Sequence, residues 1–227
     1  MDSREFKDAV FGHFARVGAS LGNAKRVEIV DVLAQGERSV EDLAREVGAS
    51  LSNTSRNLQV LANAGLVTRR VEGTSRIYRL ADESVLIAYH ALVGVAQSRI
   101  AEVKALANSF FGEADGAQPM RMADLQEAQE LNDGLLLIDV RPTTEYNSGH
   151  VPGAVNVPVA ELAERMADLP KDSHVVAYCR GPYCVMAATA VRQLREAGFP
   201  AARLEIGYPD WLLSQTAGES QQEGTRA

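Results

Sequence analysis

Two different apolar rhythms divide this sequence. Apolar residues recur at helical spacing through the first half, whereas from Leu135 onward continuous apolar runs of strand length alternate with helical patterns. A length of 227 residues allows one large domain or two small ones. Charge decides between them: up to Gly112 there are 14 Lys/Arg against 13 Asp/Glu, and from Glu113 onward 9 against 17. A net charge of −7 argues against a general nucleic-acid coat, and its uneven placement points to two domains with different partners. The stretch Phe111-Gly112-Glu113-Ala114-Asp115-Gly116-Ala117-Gln118-Pro119 is Gly-, Pro- and acid-rich without apolar period, so residues 113–119 read as a linker between domains at 1–112 and 120–213. The polar tail at 214–227 lacks aromatic or branched aliphatic residues and is expected to be disordered.

No uncharged apolar run approaches the roughly 18 residues that a membrane span requires. Residues 1–8 mix both charge signs and carry no secretory signal, so no membrane partner and a cytoplasmic location are expected. Two cysteines cannot make a disulfide framework. In a reducing compartment a close pair is more often catalytic, redox-active or metal-binding than structural.

In the first half, Phe6, Val10, Phe14 and Val17 recur at helical spacing, and Val27, Val30 and Ala34 repeat the pattern until Gly36 stops it. Ser39-Val40-Glu41-Asp42 is a capping-box-like start for a short helix that places Leu43, Ala44 and Val47 on one face and stops at Gly48. After the turn at Gly48-Ala49-Ser50 a further helix is expected to run to about Ala64. It places Leu51, Thr54, Leu58 and Leu61 on one face and Ser52, Asn53, Arg56 and Gln59 on the other. Small hydrogen-bonding side chains and an arginine on an outward face suit contact with base edges and phosphates in a major groove. Leu66-Val67-Thr68-Arg69-Arg70-Val71, the turn Glu72-Gly73-Thr74-Ser75 and Arg76-Ile77-Tyr78-Arg79-Leu80 then read as a hairpin. Between Ser52 and Leu80 there are five Arg and one acid, Glu72, a local electrostatic footprint for phosphates.

Residues 39–80 resemble the winged helix-turn-helix of the ArsR/SmtB family of bacterial repressors. The matching residues are Ser55-Arg56-Asn57-Leu58-Gln59-Val60-Leu61, Ala64-Gly65-Leu66-Val67 and the wing ending Ile77-Tyr78-Arg79-Leu80, with Asn57 standing where the family commonly carries His. The resemblance covers roughly the first 110 residues. It implies contact with double-stranded DNA through Ser52, Asn53, Ser55, Arg56, Asn57 and Gln59 of the helix and Arg69, Arg70 and Arg76 of the wing. It also implies a homodimer, formed through the first helix and a long helix from about Asp82 to Phe110, that reads an inverted repeat. Val85, Tyr89, Leu92, Ala96, Ile100, Val103 and Phe110 are spaced along that long helix for packing on a partner. Many members of the family sense metals, but both cysteines here lie beyond residue 170 and His90 has no companion at ligand spacing, so no metal and no cofactor are expected.

In the second half, Leu135-Leu136-Leu137-Ile138-Asp139-Val140-Arg141 and His174-Val175-Val176-Ala177-Tyr178 read as strands, Arg203-Leu204-Glu205-Ile206 as a shorter third, with helices around 160–169 and 185–197. That alternation implies an α/β domain with a parallel sheet. Chemistry in such sheets gathers at the carboxyl ends of strands. Cys179 occupies that place, and Cys179-Arg180-Gly181-Pro182-Tyr183-Cys184 leads into a helix. Converging backbone N–H groups, the helix N-terminus and Arg180 are expected to favour the Cys179 thiolate. Pro182 removes one amide from that cradle and stiffens it. Cys184 is placed as a resolving thiol able to convert a Cys179 persulfide or sulfenate into a bridge.

The loop, together with Asp139-Val140-Arg141, Glu145-Tyr146, Gly149-His150-Val151-Pro152-Gly153-Ala154, Asn156-Val157-Pro158 and Gly207-Tyr208-Pro209-Asp210-Trp211, resembles a rhodanese domain over residues 120–213. The resemblance implies that Cys179 takes sulfane sulfur as a persulfide and that Arg180 and the loop amides hold an anionic donor, such as thiosulfate, a persulfide or a polysulfide. It makes Asp139 and Arg141, with Gly181 and Tyr183, supports of the loop, and His150 a support of its turn.

The whole chain therefore reads as a two-domain protein, a winged helix-turn-helix followed by a rhodanese-like α/β domain. The expected function is a transcriptional repressor that senses reactive sulfur or oxidants through Cys179. Two alternatives remain: a thiosulfate or persulfide sulfurtransferase using the winged helix to dimerise or localise, and an arsenic-responsive regulator or reductase using the paired thiols.

Overall fold

The computed structural model describes residues 1–115, 119–130, 134–171 and 173–215. The middle of the expected linker and nearly all of the expected disordered tail lie outside the described residues. Two compact units meet at Leu92 and Val93. The sequence reading set residues 1–112 apart, so the helical stretch after Val93 groups with the second unit in the structure.

The first unit begins with α1 (Ser3–Leu21), capped by the Asp2 carboxylate with Glu5 completing the capping box. Next comes α2 (Ala24–Leu33), capped by Asn23. The two-residue strand β1 (Arg38–Ser39) leads into α3 (Val40–Glu46), whose first turn is capped by Ser39 Oγ accepting from Asp42 N at 3.0 Å. At Gly48 the backbone takes φ +58°, which glycine adopts without a Cβ penalty, and Ser50 then caps α4 (Leu51–Asn63). Strands β2 (Val67–Glu72) and β3 (Ser75–Leu80) form the wing, and β1 adds to the outer edge of β3. The turn is tighter than expected: Glu72 pairs with Ser75, leaving Gly73 at φ +58° and Thr74 as a two-residue loop. Ile29, Leu33, Leu43, Leu58, Leu61, Leu66 and Tyr78 share one core. Leu51, expected on that face, is exposed instead.

The long helix expected from Asp82 to Phe110 is two helices, α5 (Glu83–Arg99) and α6 (Ala101–Asp115), interrupted at Ile100. Ser98 Oγ donates to the Val95 carbonyl one turn back, at 3.2 Å, and Val103 N bonds the Ile100 carbonyl. Serine back-bonding of this kind weakens the helical ladder and favours a bend. Among the described residues no single helix is long and apolar enough to cross a membrane.

Beyond α6 come α7 (Met122–Glu130), β4 (Leu135–Asp139), α8 (Thr143–Ser148), β5 (Val155–Asn156), α9 (Leu162–Arg165), β6 (His174–Tyr178), α10 (Val185–Glu196) and β7 (Ala201–Arg203). The strands pair in parallel in the order β5-β4-β6-β7. Alternate residues of β4 and β6 face opposite sides. Ile138, Val175 and Ala177 pack with Ala190, Val191 and Leu194 of α10, while Leu137, Val176 and Tyr178 pack with Leu125, Val151 and Leu204. Apolar cover on both sides is why these strands read as unbroken apolar runs. The expected third strand starts earlier, at Ala201, and ends at Arg203. Leu204 makes only an isolated bridge to Met120.

Candidate functional site

Register brings the ends of β4 and β6 level, Asp139 opposite Tyr178, so the loop after β6 opens beside the acidic end of β4. Asp139 and Arg141 are both fully buried and paired. The guanidinium reaches Asp139 Oδ2 at 2.5 Å and the Gly149 carbonyl at 2.8 Å, while Tyr178 donates to Asp139 Oδ2 at 2.7 Å and accepts from Val151 N at 3.0 Å. Burial and the adjacent Asp139 charge hold the Tyr178 phenol protonated. His150 stacks on Tyr146, ring centroids 3.8 Å apart, beside this brace.

Residues 179–184 leave the sheet at Tyr178 and enter α10, for which Cys184 is the N-cap. Cys179 is 2% exposed, and its thiol donates to the Cys184 carbonyl at 3.6 Å. The two thiols also hydrogen-bond each other. Amides of Gly181 and Ala187 point at the Cys179 sulfur, and those of Arg180 and Met186 at Cys184. Pro182 contributes none, as its ring requires.

The expected thiolate at Cys179 is not what this arrangement favours. Burial pushes the Cys179 thiol well up, and its hydrogen bond to Cys184 adds to the rise. Cys184 is lowered to about 7, first by the hydrogen bond from Cys179, opposed by burial and helped by the two amides and the Arg180 charge. The pair shares one proton, and the charge rests on Cys184 because that sulfur is the less buried of the two.

Arg180, expected to hold an anionic donor, is committed elsewhere. Its Nε and Nη2 meet the two carboxylate oxygens of Glu145 on α8 at 3.1 and 2.6 Å, with the Glu145 side chain 1% exposed. Gly181 shapes the loop through its carbonyl, which accepts from Cys184 N at 3.1 Å, and Tyr183 lies half exposed at the loop rim.

Three supports were missed in the sequence. Glu145 was quoted only as part of a motif. Arg203 donates to the Pro182 carbonyl at 3.0 Å and lies over the Phe111 ring at 4.7 Å. Gly207 sits against the loop, where an added Cβ would overlap the Arg180 carbonyl. A glycine opening the segment 207–211 was the one available signal.

In the first unit, Ser52, Asn53, Arg56 and Gln59 of α4 are exposed and Ser55 is partly so. Arg69 and Arg76 are exposed on the wing. Two expected DNA contacts are otherwise engaged. Asn57 is buried, its amide donating to Asn53 Oδ1 at 2.8 Å, so it orients Asn53 rather than facing out. Arg70 is held by both Glu37 and Glu72 across the wing. His90 packs edge-on against Tyr89, and among the described residues no group of three or more His, Cys, Asp or Glu could hold a metal ion.

Comparison with known proteins follows the same division. Residues 23–69 match the model of bacterial regulatory proteins of the arsR family, and residues 122–214 match the rhodanese-like domain. The HTH-type transcriptional regulator Rv0324 of Mycobacterium tuberculosis is 45% identical over 208 residues, 92% of this chain and 91% of that protein. A putative sulfurtransferase, YtwF of Bacillus subtilis, is 35% identical over 89 residues, covering 39% of this chain and 84% of that protein. Among solved structures, the homodimeric winged helix-turn-helix DNA-binding domain of Mb0332 from Mycobacterium bovis is 42% identical, with a TM-score of 0.41, covering 44% of this chain and 91% of that fragment.

Proposed function

This chain belongs to the arsR family of helix-turn-helix transcriptional regulators and carries a rhodanese-like domain; from that premise we propose that residues 179–184 form its sensor, converting reactive sulfur into a change of operator affinity. The observation that carries this reading is the mutual hydrogen bond of Cys179 and Cys184 within an amide-lined loop. Two thiols that share one proton near neutral pH supply both a nucleophile and a neighbour able to displace what it takes up. Oxidation to a disulfide or persulfide replaces that hydrogen bond with a covalent link at the start of α10.

The DNA-binding form is a homodimer. Phe6, Phe11, Phe14 and Val17 of α1, and Ile87 and Leu92 of α5, are exposed in the single chain, an apolar area that a second copy would cover. Such a dimer presents two copies of α4 to an inverted repeat. A tenfold loss of operator affinity on oxidation requires only about 1.4 kcal/mol of coupling.

The test is operator binding by the full chain, on DNA selected by the reduced protein from a random pool. Polysulfide treatment is expected to weaken binding at least tenfold in the wild type and not in Cys179→Ser or Cys184→Ser. Release from DNA that persists in both variants would sink the sensor reading. The likeness to a putative sulfurtransferase favours a second reading, a sulfur-transfer enzyme that uses its winged helix as an anchor. Steady thiocyanate production from thiosulfate and cyanide, indifferent to DNA, would favour that reading. The engagement of Arg180 by Glu145 and the missing amide at Pro182 weigh against it.

A further inference from the structure

The two thiols of the loop stand in unlike surroundings. Cys179 is closed in the core beneath α10. Cys184 keeps part of its surface open. Its chain neighbours Tyr183 and Val185 are 42% and 49% exposed, and with Val103, Leu106, Phe110 and Phe111 of α6 they line a recess of about 280 Å³. That is close to the lower end of small-molecule sites, roughly 300 Å³. No charged side chain lines it. Leu106 is 71% exposed on its wall, an aliphatic surface with nothing of this unit upon it. The cations of the loop are engaged, Arg180 by Glu145 and Arg203 by the Pro182 carbonyl and the Phe111 ring. An inorganic anion would therefore meet apolar walls, whereas an alkyl or aryl substituent would gain roughly 25 cal/mol for each Å² of apolar surface it buries.

We propose that Cys184, rather than Cys179, is the thiol that first attacks, and that its substrate is an organic polysulfide whose apolar substituent lies in the recess against α6. This rests on the sensor reading and names its ligand. With a trisulfide R–S–S–S–R, the Cys184 thiolate attacks an outer sulfur. The Cys184–S–S–R bond forms, the adjacent S–S bond breaks, and R–S–S⁻ leaves and takes up a proton from water. Cys179 then gives its proton to water and attacks the Cys184 sulfur, displacing R–S⁻, which is protonated in turn. The dithiol loses two electrons and the trisulfide gains them; the products are the Cys179–Cys184 disulfide, R–SH and R–S–SH. Because α6 forms one wall and follows α5 in the chain, an occupied recess acts on the segment that continues directly into the DNA-binding unit.

The experiment treats the reduced full chain with diallyl trisulfide or with the charged glutathione trisulfide and follows products by mass spectrometry. The wild type is expected to form the disulfide at least tenfold faster with the diallyl compound. Cys179→Ser should accumulate an allylthio adduct on Cys184 at the wild-type rate, and Cys184→Ser should react at least tenfold more slowly. Leu106→Glu should slow the diallyl reaction about tenfold while leaving alkylation by iodoacetamide unchanged. Prompt adducts on Cys179 in the Cys184→Ser protein, equal rates with both trisulfides, or no effect of Leu106→Glu would each overturn the proposal. A Leu106→Glu chain that loses its dimer in sedimentation would also overturn it, assigning the recess to a second copy. If the thiol order and the apolar preference hold but operator affinity does not change, the ligand assignment stands and the sensor reading falls.

Discussion

Glu145 holds both ends of the Arg180 guanidinium fork, and it does so from a different element, α8, at a position almost closed to solvent. A bidentate pair of this kind fixes the first residue after Cys179 and neutralises the charge that would otherwise serve an anion. Removing one partner from a buried pair costs about 3–5 kcal/mol because the other charge is left uncompensated. Glu145→Gln keeps a hydrogen-bonding oxygen, so a loss of about 1–3 kcal/mol is expected, read as a lower urea midpoint for the second unit. The same variant frees Arg180, and sulfur loading from thiosulfate, followed by mass, should become faster. Unchanged stability together with unchanged loading would show that the pair does not control the loop.

Gly207 is confined for a different reason. A methyl group there would overlap the Arg180 carbonyl and the Gly181 nitrogen, and both are backbone atoms that cannot swing aside. Its own amide donates to Asp210 Oδ2 at 2.8 Å, tying the segment down from the other side. Gly207→Ala is expected to destabilise the second unit by roughly 1–3 kcal/mol, the range for overpacked sites. Thermal unfolding measures that loss, and a wild-type midpoint would contradict the packing described.

Alkylation of the cysteines should carry the signature of a shared proton. With Cys184 lowered to about 7, the rate of iodoacetamide alkylation should rise with pH through that value and level off above it. Its largest lowering cause is the hydrogen bond from Cys179, so Cys179→Ala should move the inflection upward, toward the ordinary 9.0. At pH 7 the thiolate fraction then falls roughly fiftyfold, but a more basic thiolate is roughly eightfold more nucleophilic, leaving a net slowing of about sixfold. The sign also fixes a stability window. A depressed pKa stabilises the folded state above the unfolded value, and that contribution is lost as pH falls through about 7. An inflection that does not move in Cys179→Ala would place the lowering elsewhere.

What the sequence disclosed and what it hid follow one rule. Local signals were legible: Ser39 and Ser50 cap α3 and α4, and the apolar runs before Asp139 and Cys179 became β4 and β6. Quantities set by distant partners were not. The burial that raises Cys179 comes from the packing of α10 on the sheet, and the partner of Arg180 lies 35 residues away. Strand β5 is two residues long inside a Gly- and Pro-rich stretch, too short for any period to show. Asn57 could have been placed correctly, since it lies three residues beyond Thr54 and one before Leu58, on the buried stripe of α4. The likeness to a family in which that position contacts DNA outweighed its own helical phase.

The recognition surface makes a graded prediction. Arg56, Arg69 and Arg76 are exposed, so each replacement by Ala should weaken binding to all sequences and reduce the salt slope of log K by about 1. Arg70→Ala should change the slope little, because Glu37 and Glu72 already neutralise that side chain. Asn53→Ala should instead cost about 1–3 kcal/mol on the preferred sequence and little on random DNA. Equal slopes for Arg70→Ala and Arg56→Ala in fluorescence anisotropy would contradict this ordering.

Assembly is open to a direct test on α1. Phe11 and Phe14 meet edge to face, ring centroids 5.7 Å apart, yet are 65% and 63% exposed, so their contact with each other leaves most of both rings in water. Fully burying one such ring contributes about 1.5–3 kcal/mol, and a two-fold interface counts each residue twice. Phe14→Glu therefore removes that gain on both copies and sets like charges into the same contact. The variant is expected to sediment as a monomer at concentrations where the wild type is dimeric. It should retain the wild-type helical circular dichroism, because Phe14 takes no part in the core around Ile29 and Leu58. Its operator affinity should fall at least a hundredfold, since one α4 reads one half-site. A Phe14→Glu protein that stays dimeric would move the interface away from α1.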